Sequence, residues 1–138
     1  MTFWGADAEV AQWVSAKLGY DLDFDGCRSL GVSRNGEIAA GVVFHDFAPA
    51  RGTIELTIYS EPGALNRTVA AEVFGYVFRV ARMATALTGA GNKRMRRIWR
   101  ALGGTETEIN GLYSANEAGI FLTLTESQWL SSAIRGKA

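Results

Sequence analysis

The sequence predicts an α+β domain, an α/β sandwich in which helices flank a mixed but mostly antiparallel sheet. Three strand-like segments separated by turn signals predict an antiparallel meander in the first half of the chain. In the second half strands alternate with helices, and this order implies one parallel pairing within the same sheet. Because the chain has 138 residues and no internal repeat, we expect a single domain over residues 1–138.

The composition restricts the chemistry that such a domain can perform. A single cysteine, Cys27, permits no internal disulfide and fits a reducing compartment. Since there is also only one histidine, His45, a zinc or iron site is not expected, and we predict no metal cofactor. No nucleophile-elbow sequence accompanies His45, so a serine triad of that kind is not predicted.

The N-terminal sequence and the hydropathy predict a cytoplasmic protein that does not enter a membrane. The opening residues, MTFWGAD, lack the basic and apolar regions of a signal peptide. The longest uncharged apolar run, residues 38–44, is far too short to cross a bilayer.

Charge is divided between the two halves of a chain whose net charge is zero. Residues 1–66 carry nine acidic and four basic residues, whereas residues 67–138 carry five acidic and ten basic residues. One end is therefore suited to a cationic substrate and the other to an anionic ligand.

The first elements follow from caps, periodicity and turn signals. A helix is expected from Asp7 to Leu18, with Asp7 as its cap and Gly19 ending it. The acidic loop DLDFDG comes next. Its aspartates, Asp21, Asp23 and Asp25, lack the other ligands of an EF-hand loop, so we predict a solvated turn.

The meander is predicted from a hairpin signal and two strand patterns. Strands over residues 28–33 and 37–47 flank the dipeptide Asn35-Gly36, the strongest short signal for a hairpin. The turn APARG then leads to residues 53–59, TIELTIY, in which apolar and polar side chains alternate between the two faces.

The second half is predicted to contain a helix over residues 67–82, a strand over residues 83–88 and a helix starting after Asn92. The apolar stripe expected on the first helix comprises Val69, Val73, Phe74, Tyr76, Val77 and Val80. After Gly104 we expect a strand, TETEI, a mobile loop over residues 110–119 and a strand, GIFLTLT. A capping box of Thr125 with Gln128 then opens a short helix, SQWLSSAI.

The helix NKRMRRIWRAL is unusual in its charge. Met95, Ile98, Trp99 and Leu102 form one apolar stripe, Asn92 lies at the N-cap, and Gly103 ends the helix. Its cations, with no acid among them, are Lys93, Arg94, Arg96, Arg97 and Arg100.

Cations in the first turns of a helix oppose its dipole, at about 0.3–1 kcal/mol each when exposed. One interpretation is an ordinary solvated basic face. The other is a site for a phosphate-bearing ligand or a nucleic acid, because a helix N-terminus presents free N–H groups to anions.

This order of elements and two of its motifs resemble the GNAT acyltransferase superfamily, over residues from about Asp7 to Thr125. The segment ATALTGAGNKRMRRIWRALGG is similar to the fifth strand and following helix of that family, and GVVFHDFAPARGTIELTIYSE to its third and fourth strands. The resemblance is to a phage-type or bacterial member with a short N-terminus, its first strand reduced to at most Thr2–Trp4.

The resemblance implies acetyl-coenzyme A as acyl donor, bound in a wedge where the fourth and fifth strands splay apart. There, residues 58–60 would face residues 86–88, and the pyrophosphate would lie on the loop before the helix that follows strand four. The cofactor-binding residues implied are Ile58, Ser60 and Thr88 at the wedge, Leu65, Asn66, Arg67 and Thr68 in the loop, and Asn92 and Arg96 in the basic helix.

Two features depart from the family pattern. The loop PGALNRTVA lacks the family's glycines at their usual spacing, so that Arg67 and the basic helix would supply charge in their place. Trp99 occupies the position where the family often has a tyrosine that protonates the leaving thiolate, and indole has no proton of suitable acidity. Tyr113, in the predicted loop, would have to fold back to replace it.

The resemblance also assigns the acid–base chemistry of acyl transfer to an amine. Glu55 corresponds to the strand-four glutamate that takes the amine proton, and His45 on the preceding strand is an alternative base. The N–H near Tyr59 would stabilise the oxyanion. Structural roles remain alternatives for Glu55, as a cross-strand partner, and for His45, at a strand end.

The function expected is therefore transfer of an acetyl or other acyl group from acetyl-coenzyme A to a small-molecule or protein amine by direct attack. A second hypothesis is a phage protein of the same fold that binds or modifies nucleic acid through the basic helix. A third is a degenerate GNAT fold used for protein interaction, and an oligomer is compatible with each.

Overall fold

A computed structural model of the protein describes residues 1–19 and 26–132. Within this part of the chain the strands are β1 (Thr2–Trp4), β2 (Arg28–Arg34), β3 (Glu37–Ala48), β4 (Thr53–Ser60), β5 (Met83–Gly89), β6 (Thr105–Ser114) and β7 (Glu117–Thr125). The helices are α1 (Asp7–Leu18), α2 (Arg67–Val80), α3 (Lys93–Ala101) and α4 (Glu126–Leu130).

These strands form one mixed sheet with the order β1-β2-β3-β4-β5-β7-β6. The predicted meander is confirmed, since β2 pairs with β3 and β3 with β4, both antiparallel. Asn35 and Gly36 both have positive φ, 56° and 79°, as the tight turn of a right-twisted hairpin requires. The fold class predicted from the sequence is therefore correct.

The one parallel pairing predicted for the sheet joins β4, the last strand of the meander, to β5, and it is short. In this pairing Thr53 lies opposite Met83, Ile54 opposite Ala84 and Glu55 opposite Thr85. Beyond Glu55 the two strands keep their other neighbours but no longer pair with each other. The sheet therefore splits from this point toward the carboxyl ends of β4 and β5.

The segment after α3 differs from the prediction of a mobile loop over residues 110–119. Strand β6 extends to Ser114, and β7 begins at Glu117, so that the two form a long antiparallel hairpin. Polar and glycine residues hid the strand pattern, because β6 lies at the sheet edge with most of its side chains exposed.

Helix α1 packs on one face of the sheet. Val10 and Val14 are fully buried against Val43, and Gly19 ends the helix in the left-handed conformation, as expected. The N-cap is Ala6 and not Asp7. The Asp7 carboxylate instead accepts hydrogen bonds from the backbone N–H and hydroxyl of Ser29, at 2.8 and 3.2 Å, because tertiary packing turns it toward β2.

Helices α2 and α3 cover the opposite face, where the main core lies. Val69, Val73, Phe74 and Val77 are buried as predicted, but Val80 is 40% exposed at the last turn of α2. Trp99 of α3 is completely buried and packs edge-on against Phe74.

The C-terminal capping box is confirmed. Thr125 accepts from the Gln128 backbone N–H, and the Gln128 side chain accepts from the Thr125 N–H. Helix α4 ends at Leu130, earlier than predicted, with Ser131 as its C-cap. The predicted loop with Asp21, Asp23 and Asp25, and residues 133–134 of the predicted last helix, lie outside the described residues. Within the described part of the chain, no helix has both the length and the apolar character that a bilayer crossing requires.

Candidate active site

The split between β4 and β5 opens a wedge in the sheet. A small cavity of about 50 Å³ lies between the strands and is bordered by Thr57, Ile58, Ala86 and Thr88, with Tyr113 at its side. A larger cavity of about 370 Å³ continues past Tyr59, Ser60 and the first turn of α3. Since β4 and β5 lack strand partners on these edges, their free backbone groups face the wedge.

A third cavity, of about 380 Å³, lies between the N-terminal half of α2 and α3. Leu65 and Ile58 border both larger cavities, and Asn66, Arg67 and Arg97 line this one. Most of its surface is apolar, from side chains of the sheet and the two helices: Val42, Ala70, Val73, Phe74, Met95, Ile98, Trp99 and Leu102.

The N-terminus of α2 opens at the mouth of this space. Asn66 is its N-cap and accepts a hydrogen bond from the Val69 N–H at 2.9 Å. Arg67 and Thr68 are exposed first-turn residues, and their N–H groups have no carbonyl partner within the helix. The first turn contains no acidic residue, so its positive potential is not neutralised locally.

Asn92 joins α3 to β5. Its side-chain oxygen caps the helix by accepting from the Met95 N–H at 3.1 Å, which confirms the predicted N-cap. Its amide nitrogen donates to the Thr88 hydroxyl at 3.0 Å. This places Asn92 at the wedge, bordering both the small cavity and the cavity beside Ser60.

Arg94 joins the same helix to β4. Its guanidinium donates to the carbonyl oxygens of Ser60 and Glu61, at 2.8 and 3.2 Å. From the sequence Arg94 is only one of five cations, because nothing in the local pattern indicates which carbonyl a long side chain will reach. Together with Asn92, it fixes α3 across the open end of the wedge.

The Arg96 side chain makes its contacts with Ala90 and with β6, and not with the open end of the wedge. Its guanidinium bonds to the Glu106 carboxylate at 3.0 Å and to the Ala90 carbonyl oxygen at 2.7 Å. The hydrogen bond from Arg96 lowers the pKa of Glu106 below its ordinary value. Arg96 therefore braces α3 against β6, and Arg97 is the neighbouring cation that lines a cavity.

Glu55 and His45 face each other across β4 and β3 at the base of the wedge, as strand partners. Burial raises the pKa of the Glu55 carboxyl above its ordinary value; His45 opposes this rise and Asp46 adds to it. The imidazole Nδ1 lies 2.7 Å from an Asp46 carboxylate oxygen, and Nε2 lies 2.7 Å from the Thr57 hydroxyl. Asp46 and Thr57 were not identified from the sequence, since neither forms a recognisable motif.

Among the residues that the structure describes, His45, Asp46 and Glu55 form one group whose donor atoms, all within 4.8 Å of one another, are close enough to hold a metal ion. In the structure the imidazole lies within hydrogen-bond distance of both Asp46 and Thr57 and so links them in a polar chain.

Three aromatic residues lie near the site, and the structure defines the position of each. Tyr59 lies on β4 with its ring edge-on to Trp13 of α1. Tyr113 is on β6 and borders the small cavity without any refolding, which corrects its assignment to a mobile loop. The indole N–H of buried Trp99 donates to the Thr123 carbonyl oxygen at 3.0 Å, so this side chain is part of the core and offers no surface for base stacking.

Comparison with known proteins identifies the fold. A ribosomal-protein-alanine N-acetyltransferase from Brucella melitensis superposes with a TM-score of 0.69 at 18% identity, covering 91% of this chain and 99% of its own. Mutant forms of the spermidine/spermine N-acetyltransferase SpeG from Vibrio cholerae superpose with a TM-score of 0.74 at 10% identity, covering 94% and 96%. No protein-family model and no curated protein matches the sequence.

The sheet order, the split parallel pair and these structural neighbours define the fold as that of the GNAT N-acetyltransferases. The fold resemblance predicted from the sequence is therefore confirmed, over nearly the whole length of two such enzymes.

Proposed function

We propose that this protein transfers an acyl group from acetyl-coenzyme A to an amine. The observation that carries the proposal is the end of β4–β5 pairing at Glu55 and Thr85, which opens a wedge between an acidic group and a helix N-terminus. The parts of acetyl-coenzyme A match these features one by one. The thioester would lie near the acidic group, the amide-containing arm in the wedge, and the pyrophosphate at the helix N-terminus.

The pantetheine arm is assigned to the wedge beside Ile58 and Ser60. Its amides pair there with backbone groups of β4 that lack a β5 partner, as an additional strand would. Thr88 and Asn92 border the opposite side, and their mutual hydrogen bond holds that wall in place.

The pyrophosphate is assigned to the N-terminus of α2, where Leu65, Asn66, Arg67 and Thr68 form the entry to the helix. Free N–H groups and the helix dipole favour an anion at this position. Arg67 and Arg97, which line the adjoining cavity, add two positive charges. These charges replace the close backbone approach that glycines permit in the usual family loop.

The amine is assigned to the face of the sheet that carries Glu55. The Glu55 carboxylate accepts the amine proton as the nitrogen attacks the thioester carbonyl, and its raised pKa makes it a stronger base. The N–H near Tyr59 stabilises the oxyanion. The thiol of the coenzyme is an acceptable leaving group at neutral pH.

The acceptor class is a small-molecule or protein amine in the cytoplasm. The two structural neighbours are named for a polyamine and for a ribosomal-protein alanine, so this fold accommodates acceptors of both sizes. The acidic residues at the base of the wedge, Asp46 and Glu55, favour an acceptor that arrives as a cation.

Thermal unfolding with coenzyme A, acetyl-coenzyme A and a matched adenine nucleotide, followed by an amine-acetylation screen, tests the proposal. A ligand at about 100 times its dissociation constant adds roughly 2.7 kcal/mol of stability, which is several degrees for this domain. We expect the shift with both coenzymes and not with the nucleotide. Absence of a shift at both low and high salt would overturn the proposal.

A further inference from the structure

We propose that Thr57 is a second acyl acceptor in this protein, activated by a relay of Asp46, His45 and Thr57, and that it becomes acylated when no amine is bound. The proposal rests on the proposed function for its donor, an acyl thioester. It adds a covalent site and a slow thioester-hydrolysing activity, neither of which direct transfer to an amine requires.

The geometry of the relay is that of an activated hydroxyl nucleophile. The Asp46 carboxylate lies 2.7 Å from Nδ1 of His45, and the Thr57 hydroxyl lies 2.7 Å from Nε2. With a proton on Nδ1 held by Asp46, Nε2 is left as an acceptor for the hydroxyl proton of Thr57. Both distances are within hydrogen-bond range in the structure as it stands.

Two acidic side chains lie beside the imidazole that receives this proton. Glu55 is its strand partner on β4, and the donor atoms of Asp46, Glu55 and His45 lie within 4.8 Å of one another. Two carboxylates therefore face the developing positive charge. The His45 side chain is 13% exposed, which limits competition from solvent.

Asp46 holds an unusual backbone conformation in this arrangement. Its φ is 50°, in the left-handed region, and the β3–β4 register shifts between His45 and Ala48. This bulge breaks the strand alternation, so that two consecutive residues, His45 and Asp46, meet side chain to side chain. In a regular strand their side chains would point to opposite faces.

Thr57 is placed where the acyl group is expected. It follows the last paired residue of β4 by two positions, on the same side of the sheet as Glu55. It also borders the small cavity between the split strands. Thr57 therefore belongs to the relay through its hydroxyl and also contributes to the lining of the wedge.

The step balances without any further reactant. The Thr57 Oγ1–carbon bond forms as the carbon–sulfur bond breaks, and the hydroxyl proton passes to His45 Nε2 and then to the departing sulfur. The products are an O-acyl threonine and the free coenzyme thiol. Attack by water on this ester breaks the carbon–Oγ1 bond and forms a carboxylate; one proton of the water returns to Thr57 and the other is released to solvent.

The test incubates the full chain with acetyl-coenzyme A in the absence of amine, followed by an acid quench and mass analysis of intact protein and peptides. We expect one acetyl group, on the peptide containing Thr57, released by hydroxylamine as an ester is and an amide is not. Thr57→Val should abolish it. His45→Gln should slow its formation about 100-fold, within the range for loss of a general base.

Thr53→Val is the matched control, because Thr53 lies on the same strand and the same face, four residues earlier, and pairs with Ala48. This variant should be labelled like the wild type. Labelling with p-nitrophenyl acetate, which needs no coenzyme site, separates the two proposals: an ester on Thr57 with this reagent supports the relay even where coenzyme binding fails.

Three results would overturn the relay. The first is acetylation of amines by a protein that never carries an ester on Thr57. The second is unchanged labelling of Thr57→Val. The third is loss of labelling on treatment with a chelator, which would assign His45, Asp46 and Glu55 to a metal ion instead.

Discussion

The guanidinium of Arg94 donates to the carbonyl oxygen of Ser60 at 2.8 Å, and so joins the first turn of α3 to the last residue of β4. The two residues are 34 positions apart in the chain. Their contact spans the open end of the wedge, where β4 has no strand partner in β5. A basic residue that opposes the helix dipole is thus used to hold the site open in a defined shape.

Replacing Arg94 with alanine should reduce both stability and coenzyme binding. Two hydrogen bonds to carbonyl oxygens are lost, at a total cost of about 1 kcal/mol because Arg94 is exposed. The melting temperature should fall by about 4 °C. Arg100→Ala, an exposed cation on the same helix, is the control; equal effects of the two variants would contradict a specific role for Arg94.

Asn92→Ala should weaken coenzyme binding and destabilise α3. The substitution removes the N-cap, worth about 1 kcal/mol, together with the bond to Thr88. Asn92→Asp keeps the capping oxygen but cannot donate to the Thr88 hydroxyl. We therefore expect the aspartate variant to melt near the wild type and still bind coenzyme A less tightly, measured by calorimetry. Wild-type affinity in both variants would contradict the proposal that coenzyme A binds beside Asn92 and Thr88.

Arg67→Ala should weaken coenzyme binding with little change in stability. Arg67 is exposed at the start of α2, so its contribution to folding is small, whereas a charge-assisted bond to phosphate is strong. The affinity of the wild type should fall as salt is added, and that of the variant should fall less steeply. Identical salt dependence would show that Arg67 does not meet a phosphate.

Glu55→Gln should lower turnover far more than coenzyme affinity, because the carboxylate is needed as the proton acceptor. Burial raises the pKa of the Glu55 carboxyl, and this fixes the direction of the pH dependence. Turnover should fall as pH decreases through this raised pKa, since the protonated acid cannot act as a base. Unchanged turnover of the variant at neutral pH would exclude Glu55 as the base.

The raised pKa of Glu55 also leads to a separate prediction about the stability of the protein. A carboxyl whose pKa is raised by folding favours the folded state fully below its unfolded value of 4.5, and this contribution is lost as pH rises through the folded pKa. Glu55→Gln removes this titration. The difference in free energy of unfolding between variant and wild type should therefore change with pH in the weakly acidic range and be constant above it, as denaturant titrations would reveal.

The amino-acid sequence was sufficient to predict the elements whose signals are local. The Asn35-Gly36 turn, the Asn92 cap and the Thr125–Gln128 capping box all depend on residues within a few positions of one another. Local signals failed for β6, an edge strand in which exposed polar residues mask the alternation, and for Asp7, which packs against Ser29 rather than capping its helix.

Helix α3 shows both what local sequence signals predict and what only tertiary contacts decide. Its apolar stripe predicted that Trp99 is buried, because burial follows helical periodicity. The use of its cations could not be predicted. Arg94 bonds to Ser60 and Arg96 to Glu106, partners brought near only when the sheet and α3 have packed together.

By itself, then, the sequence determined the order of elements and a mixed sheet that contains one parallel pair. Tertiary structure alone decided which polar side chains meet at the base of the wedge. The Asp46–His45–Thr57 chain depends on a bulge in β3 and on the register of β4, and residue type does not specify either one. Local preferences act over a few residues, whereas register is set by how whole strands and helices share one core.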